Sequence, residues 1–238
     1  MFRDVNMTEE KSIKNEASNP GGRDFRESVL WRIFRIMSEF VDGFQFLADL
    51  GRTVTFFGSA RFPSDVPAYK EARRLAFLLG QEGFTIITGG GPGIMEAANR
   101  GAYEAGAQSV GLNIQLVPTE QRINDYVKKG MGFHYFFTRK VMLAYASQAY
   151  VFCPGGFGTI DEMSEIVTLI QTNKISRDIP VVLLGKDYWE PFLKWVDGTL
   201  YEKYRAIDVT DMKLYTLVDS ADEAFEIIRK SKERKELF

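Results

Sequence analysis

Apolar segments alternate with helical patterns along the chain from residue 52 onward. The apolar segments are rich in β-branched and aromatic residues, which favour strands. They are TVTFFGS (53–59), FTIITGG (84–90), SVGLNIQL (109–116), AYVFCPG (149–155) and IPVVLLG (179–185). Strands that are apolar throughout and separated by helices indicate a parallel sheet whose two faces are both covered. The alternation therefore predicts an α/β protein with a doubly wound, Rossmann-like parallel sheet and helices on both faces.

The two ends of the chain differ from this pattern. Residues 1–23 are polar and end in NPGG, which predicts a flexible tail. Residues 24–50 carry apolar residues at three- and four-residue spacing, which predicts an amphipathic helix packed on the domain or on a partner subunit. We interpret residues 51–238 as one Rossmann-like domain that ends with an edge strand and a helix beginning near Ser220.

Charge and cysteine content limit the classes of partner. The formal net charge of −2 gives no basic surface for nucleic acid or for an anionic membrane. A single cysteine excludes an internal disulfide framework and fits a reducing compartment. No apolar run approaches the ~18 residues of a membrane span. We therefore expect a cytoplasmic protein that binds neither nucleic acid nor membrane and that would hold a small anion at a local site.

Glycine-containing turns follow three of the predicted strands, at 58–61, 89–96 and 154–159. In a parallel sheet the carboxyl ends of the strands share one edge, where ligands bind. Glycine lets the backbone approach a ligand closely, and the start of the following helix offers free N–H groups and a positive dipole end. The turns therefore predict a phosphate-binding site at this edge.

Two common nucleotide motifs do not fit these turns. A dinucleotide fingerprint that starts at Gly89 would place its third glycine at Ile94, and no acidic residue ends the next strand near Asn113. A P-loop needs a lysine followed by serine or threonine, which the turns do not supply. The sequence therefore favours neither NAD binding nor nucleoside triphosphate hydrolysis.

The segment TIDE (159–162) has two interpretations. It fits a capping box, in which Thr159 caps a helix and Glu162 reaches back to the cap. A carboxylate at this place could instead act on a ligand held by the glycine turn. Composition and spacing leave both interpretations open.

The same residues resemble the Lonely Guy family, and the resemblance covers about residues 51–190. PGGFGTIDE (154–162) matches the family's P-G-G-x-G-T-x-x-E signature, GGGPGIME (89–96) is similar to its second glycine-rich turn, and Arg139-Lys140 matches its Arg-Lys pair. The resemblance implies a phosphoribohydrolase, which cleaves the N-glycosidic bond of a nucleoside 5′-monophosphate to give the free base and ribose 5-phosphate. AMP and cytokinin ribotides are the substrates that it implies.

The resemblance also bears on assembly and on cofactors. It implies a homodimer or a larger homo-oligomer, and it makes the 51–238 domain a nucleotide-binding one. Related proteins often carry the label "lysine decarboxylase", but no lysine of this chain stands in a cofactor-binding context. We therefore expect no cofactor.

On this resemblance Glu162 and Arg139 are the catalytic candidates, 23 positions apart. Cleavage of an N-glycosidic bond builds positive charge on the sugar, which a carboxylate stabilises. We expect Glu162 to lie in the first helical turn, where the helix dipole and nearby N–H groups would keep it ionised. Arg139 stays protonated, so it would hold the substrate or assist the departing base.

The other candidates surround the expected phosphate. We expect the phosphate against the backbone amides of Gly156, Gly158 and Thr159, with the Thr159 hydroxyl as a further donor. The remaining candidate binding residues are Gly155, Gly90, Gly91, Gly93, Ser59, Arg61, Lys140 and Glu96, of which Lys140 also suits a solvated charge and Glu96 a helix start. His134 and Cys153 are interpreted as packing residues, and no cluster of ligands indicates a metal.

Three functions from different classes stay open at this point. The first is a nucleotide hydrolase. The second is a non-hydrolytic binding or carrier protein for a nucleotide or for a phosphorylated cofactor of the molybdenum-cofactor type. The third is a scaffold whose N-terminal helix drives assembly. The presence of both Arg139 and Glu162 favours the hydrolase, because phosphate binding alone needs neither.

Overall fold

A parallel sheet forms the centre of the protein, of which the computed structural model describes residues 29–115, 123–145 and 147–232. The strands are β1 Thr53–Phe57, β2 Thr85–Thr88, β3 Ser109–Ile114, β4 Lys129–Phe133, β5 Ala149–Phe152, β6 Val181–Leu184 and β7 Thr216–Val218. They form one seven-stranded sheet in the order β4-β3-β2-β1-β5-β6-β7, and every neighbouring pair is parallel. The α/β, Rossmann-like prediction is confirmed, and the strand order reverses between β1 and β5.

Helices connect the strands and cover both faces of the sheet. In the described residues they are α1 Val29–Ala48, α2 Pro67–Gln81, α3 Ile94–Glu104, α4 Phe136–Tyr145, α5 Phe157–Gln171, α6 Lys186–Trp195 and α7 Ala221–Ile228. A π-helical segment, Val196–Lys203, continues α6. No helix within the described ranges combines the length and the apolar character that a membrane crossing requires.

Apolar side chains on the two faces of the sheet form two cores. Within β1, Val54 and Phe56 pack into the core shared with α2, α3 and α7, whereas Phe57 packs into the core shared with α4, α5 and α6. Successive strand residues point to opposite faces, so a strand buried on both sides is apolar throughout. This is the physical reason for the uninterrupted apolar segments of the sequence.

Two elements, β4 and α6, are missing from the sequence-based prediction. The β4 segment KGMGF contains Gly130 and Gly132, and glycine is depleted in strands. Its strand conformation depends on pairing with β3, where Gly130 lies opposite Gly111. Helix α6 contains Pro191 within it, and proline normally argues against a helix interior. Both elements depend on contacts distant in sequence.

The two ends of the described chain carry helices. Helix α7 begins at Ala221, and the Ser220 hydroxyl caps it by accepting a hydrogen bond from the Glu223 amide at 3.3 Å. Helix α1 lies within the predicted helical range 24–50. The predicted tail at 1–23 lies outside the described residues and stays a prediction.

Helix α1 packs on α4 with one face and exposes another. Gly43 and Leu47 are buried, and a Cβ atom at Gly43 would lie 2.7 Å from the Met142 sulfur, so the two helices approach closely. The opposite side carries what we call the α1 stripe, a set of apolar side chains that are 46% to 67% exposed. The stripe consists of Leu30, Trp31, Ile33, Phe34, Met37 and Val41.

Candidate active site

A cleft of about 570 Å³ opens at the carboxyl ends of β1 and β5, where the strand order reverses. Open α/β sheets bind ligands at such a point, because the connections leave it in opposite directions. Of the predicted site residues, the cleft is lined by Ser59, Arg61, Arg139, Gly155, Gly156, Gly158, Thr159 and Glu162. The turns after β1 and β5 and the helix α4 therefore meet around one space.

The start of α5 presents bare backbone to this cleft. The backbone amides of Gly156, Phe157 and Gly158 have no hydrogen-bond partner in the described part of the chain. A Cβ atom added at Gly156 or Gly158 would meet nothing within 4 Å, so the space before these amides is open. Free amides at a helix N-terminus form an anion site. The geometry of these three amides, which we call the amide cradle, suits a phosphate group.

One backbone amide that was expected in the amide cradle, that of Thr159, already has a hydrogen-bond partner. The Thr159 amide donates to the Gly156 carbonyl at 3.0 Å, so it is not among the free amides, and phosphate binding by this amide stays a prediction. The Thr159 side chain packs under the turn. A Cβ atom added at Gly155 would lie only 2.1 Å from the Thr159 hydroxyl oxygen. Gly155 is therefore required for close packing rather than for ligand access.

The turn after β5 is fixed from two sides. The Tyr188 hydroxyl of α6 donates to the Gly155 carbonyl at 2.7 Å. The Ser59 amide donates to the Pro154 carbonyl at 3.0 Å, which ties the turn after β1 to the turn after β5. Sequence reasoning missed Tyr188 because α6 was not predicted. These bonds hold the amide cradle in place without a ligand.

Glu162 lies one turn further into α5 than its capping interpretation requires. The helix begins at Phe157 with Gly156 as its N-cap, and no side chain caps it, so the capping box is not formed. Glu162 is only 8% exposed, and its Oε2 atom is buried without a hydrogen-bond partner in the described residues. An unpartnered buried carboxyl oxygen is rare in a folded protein. It points to a group that a ligand would satisfy.

Burial also changes the proton affinity of Glu162. Loss of hydration raises the pKa of its carboxyl to about 7. The nearby Glu165 and Asp161 carboxyls also raise this pKa, whereas the Lys140 and Arg139 cations lower it. The expectation that the helix dipole keeps Glu162 ionised is therefore corrected. The carboxyl lies beyond the first turn, where the dipole effect has declined.

Arg139 reaches the cleft from α4. Its Nε atom is buried and has no hydrogen-bond partner in the described residues. The guanidinium carbon lies 5.6 Å from the centre of the Phe136 ring, which also lines the cleft. Burial lowers the pKa of Arg139, and the Glu162 carboxylate opposes this effect. An arginine remains protonated under such conditions.

The second glycine turn shapes the wall behind the cleft, and only its first glycine lines it. Gly90 and Gly93 adopt positive φ angles of 73° and 69°. A Cβ atom at Gly93 would lie 2.3 Å from the Ser59 carbonyl oxygen. The Asn124 side-chain Nδ2 donates to the carbonyls of Gly90 and Gly91 at 3.1 and 2.9 Å. Gly90, Gly91 and Gly93 therefore support the turn, whereas Gly89 lines the cleft.

Two charged candidates have other partners and do not line the cleft. Glu96 accepts a hydrogen bond from the Tyr69 hydroxyl at 3.0 Å. Lys140 contacts Asp161 at 2.6 Å and Glu165 at 3.3 Å. Lys140 therefore acts on the site only through its charge, by opposing the rise in the pKa of Glu162.

Aromatic side chains form the apolar part of the cleft. Phe57, Phe136 and Phe157 line it, and Phe157 is 92% exposed. Sequence reasoning did not select these residues, although the aromatic residue between glycines in PGGFG was a visible signal. A flat apolar ring of a ligand has a surface to pack on here.

The two residues interpreted as packing residues lie outside the lining. Cys153 is fully buried at the end of β5, and burial raises the pKa of its thiol to about 12. His134 is exposed, and its ring stacks edge-on against Tyr135 with the centres 4.9 Å apart. Neither side chain reaches the cleft.

Comparison with known proteins places this geometry in a family. A family model described as "Possible lysine decarboxylase" matches residues 95–228, more than half of the chain. The cytokinin riboside 5′-monophosphate phosphoribohydrolase of Oryza sativa subsp. japonica is 28% identical over 189 residues, which cover 76% of this chain and 73% of that protein. An Arabidopsis thaliana protein with the same enzyme name is 26% identical over 189 residues, covering 77% and 82%.

A solved structure has the same fold. The molybdenum cofactor binding protein from the phototrophic bacterium Rippkaea orientalis superposes with a TM-score of 0.55 and is 22% identical, over 74% of this chain and 93% of that one. At this identity the likeness extends to the fold alone.

Proposed function

This chain belongs to the Lonely Guy family, and we propose that it is a phosphoribohydrolase acting on a nucleoside 5′-monophosphate. In the proposed reaction the bond between C1′ of the ribose and the base nitrogen breaks, and its electron pair leaves with the base. Water supplies a hydroxyl group to C1′ and a proton to the base. The products are the free base and ribose 5-phosphate.

The observation that carries this proposal is the pair of unsatisfied groups in the cleft. Glu162 and Arg139 come from different helices and line the same space, and Glu162 Oε2 and Arg139 Nε are both buried without a partner in the described residues. A phosphate site alone requires neither of them. A ribose hydroxyl would donate to Glu162, and an acceptor on the sugar or the base would satisfy Arg139.

The proposed chemistry follows from the charges of these two residues. With a pKa of about 7, Glu162 is partly protonated in the ligand-free protein at neutral pH. Positive charge that develops on the ribose would favour the ionised carboxylate, and the attraction between them is strong where water is excluded. Arg139, which stays cationic, would stabilise negative charge on the departing base.

The two ends of the substrate have matching surfaces. The 5′-phosphate would lie against the free amides of Gly156, Phe157 and Gly158, at the positive end of α5. The base would lie on the apolar side, near Phe136 and Phe157. This arrangement would put the glycosidic bond between them, within reach of Glu162 and Arg139.

A decarboxylase function, which the family description suggests, has less support. Among the described residues that line the cleft there is no lysine to form a Schiff base. The lysine beside Arg139, Lys140, is held by Asp161 and Glu165. The cleft residues fit a sugar phosphate better than a free amino acid.

The oligomeric state and the cellular location of the protein stay predictions. The α1 stripe is the support for a homodimer or larger homo-oligomer, because exposed apolar patches of this kind mark interaction sites. A cytoplasmic location rests on the single cysteine of the sequence.

The test is turnover of AMP and of isopentenyladenine ribotide by purified protein, followed as release of ribose 5-phosphate. Glu162→Gln keeps the size of the side chain but cannot carry negative charge, so we expect turnover to be abolished while AMP still binds. Glu82→Gln, the same change at an exposed position, is the matched control. Nucleotide binding without base release across a panel of monophosphates would favour the carrier function instead.

A further inference from the structure

A carboxylate of α1 binds the start of α4. Glu39 Oε1 accepts a hydrogen bond from the His134 amide at 2.7 Å, and Oε2 accepts from the Tyr135 amide at 3.3 Å. Oε2 also accepts from the hydroxyl of the fully buried Thr138 at 2.5 Å. Both oxygens of one side chain are therefore used on the two residues that precede α4 and on Thr138 in its first turn.

These bonds hold the two residues that lead into α4 and place a carboxylate at the N-terminal end of that helix. A negative charge at this end of a helix is stabilised by the helix dipole. At α4 the charge is that of Glu39, which lies about 95 residues earlier in the sequence. The position and direction of the first turn of α4 are therefore set from α1.

That first turn carries Arg139. The Arg139 amide donates to the Tyr135 carbonyl at 3.3 Å, while the Tyr135 amide donates to Glu39. Thr138, the direct neighbour of Arg139, is the third group held by the same carboxylate. Two consecutive hydrogen bonds thus connect Glu39 to the backbone of the arginine that enters the cleft.

We infer that Glu39 is a positioning residue for Arg139, so that α1 supports the active site from outside the cleft and from outside the family match at 95–228. This inference rests on the proposed function in one respect, the catalytic role of Arg139. Glu39 itself does not line the cleft. It acts by fixing the helix from which the guanidinium reaches the substrate.

Contacts elsewhere hold α1 in place without Glu39. The Phe44 and Tyr145 rings pack edge to face with their centres 4.5 Å apart, and the Lys129 ammonium donates to the Phe46 carbonyl at 3.2 Å. Gly43 packs closely against Met142. A variant at Glu39 should therefore keep α1 docked and change mainly the start of α4.

The first experiment compares Glu39→Gln with Asp42→Asn. Glutamine has one acceptor oxygen, so its NH₂ group would oppose one of the N–H or O–H donors of α4. Asp42 lies on the same helix and accepts from Ser38 at 3.1 Å, so its variant makes the same charge change away from α4. We expect Glu39→Gln to lower kcat for AMP about tenfold, with a smaller effect on KM, because small misplacements of catalytic groups reduce rates strongly. Asp42→Asn should match the wild type.

A double variant separates positioning from a general structural effect. In an Arg139→Lys background, the decrease in kcat caused by Glu39→Gln should largely disappear, because the group being positioned has been replaced. If Glu39→Gln lowers kcat by the same factor in both backgrounds, the inference is overturned. A wild-type kcat in Glu39→Gln would also overturn it. If Glu39→Gln does not fold, Thr138→Val, which removes one of the three donors, takes its place with a smaller expected loss.

Hydrogen exchange tests the contact independently of turnover. In Glu39→Gln the amides of His134, Tyr135 and Arg139 should exchange about tenfold faster than in the wild type, whereas Asp42→Asn should leave them unchanged. Unchanged exchange would overturn the inference. If the wild type releases no base, the proposed function fails, and the exchange rates still decide whether Glu39 holds the start of α4.

Discussion

At the scale of single residues, Glu162 is a buried carboxyl whose ionised form is poorly stabilised in the ligand-free protein. The residue is 8% exposed, one carboxyl oxygen lacks a partner in the described residues, and burial raises the pKa of the carboxyl to about 7. Groups with strongly shifted pKa values in clefts are frequent in active sites. A residue kept only for stability would not be expected in this state.

This state predicts that Glu162→Gln stabilises the ligand-free protein at pH 8. The folded-state pKa of about 7 exceeds the ordinary value of 4.5, so the folded protein retains a proton that the unfolded chain releases between these values. Stability therefore falls as pH rises from about 4.5 to 7, and glutamine removes this loss. We expect a gain of up to about 3 kcal/mol at pH 8 and little difference near pH 4.5.

Urea denaturation in phosphate-free buffer at both pH values measures this effect, with Glu82→Gln as the control. Equal stability of wild type and Glu162→Gln at pH 8 would mean that the carboxyl is better solvated than its burial indicates.

The sequence contained the identity of Glu162 and Arg139 but not their environment. The signature PGGFGTIDE and the Arg-Lys pair selected both residues, and the structure brings both to one cleft. The raised pKa of Glu162 was not predictable, because it depends on where α5 begins and on how deeply its second turn is buried. The helix cap lies at Gly156 and not at Thr159, which moves Glu162 from the first turn into the second.

At the scale of elements, the turn after β5 depends on glycines that serve different purposes. A Cβ atom at Gly155 would overlap Thr159, whereas one at Gly156 would meet nothing within 4 Å. The first glycine is required by packing inside the protein, and the second leaves room at the cleft.

We therefore predict that Gly155→Ala and Gly156→Ala differ in stability. Gly155→Ala should destabilise the fold by about 1–3 kcal/mol, since a contact of 2.1 Å forces the turn or α5 to move. Gly156→Ala should change the free energy of unfolding by less than about 0.5 kcal/mol, because such changes away from packed groups are small. Chemical denaturation of the two matched variants checks this; a similar loss in both would show that the turn is more crowded than described.

The elements that sequence reasoning missed also contribute to the site. Helix α6 supplies Tyr188, which holds the Gly155 carbonyl, yet Pro191 obscured its helical pattern. The segment before α5 was easier to interpret because glycines mark a turn by themselves. Local signals revealed the cradle, whereas the contacts that fix it come from distant parts of the chain.

At the scale of the whole molecule, the strand order and α1 are the two features that matter most. The reversal between β1 and β5 locates the cleft, whereas the alternation of strands and helices predicted only that ligands bind at the carboxyl ends of the strands. The face that α1 leaves exposed could be inferred only in part, since the sequence indicated an amphipathic helix but not which apolar residues would be covered.

The α1 stripe predicts self-association. Large apolar patches on monomers are uncommon, and burial of such a stripe between copies would stabilise a symmetric dimer or a larger assembly. Light scattering should give a mass of at least two chains for the wild type. Phe34→Glu combined with Met37→Glu should lower this mass, because charges in a buried apolar contact are unfavourable. Glu82→Lys, on α2's exposed end, should leave it unchanged, and a wild-type mass of one chain would contradict the prediction.

The central claim is that the cleft breaks an N-glycosidic bond with Glu162 and Arg139. The most direct measurement is product analysis by mass spectrometry after incubation with AMP. The account predicts adenine and ribose 5-phosphate in equal amounts from the wild type, and neither product from Glu162→Gln, which still binds AMP. Recovery of bound AMP intact, or its conversion to adenosine and inorganic phosphate, would contradict it.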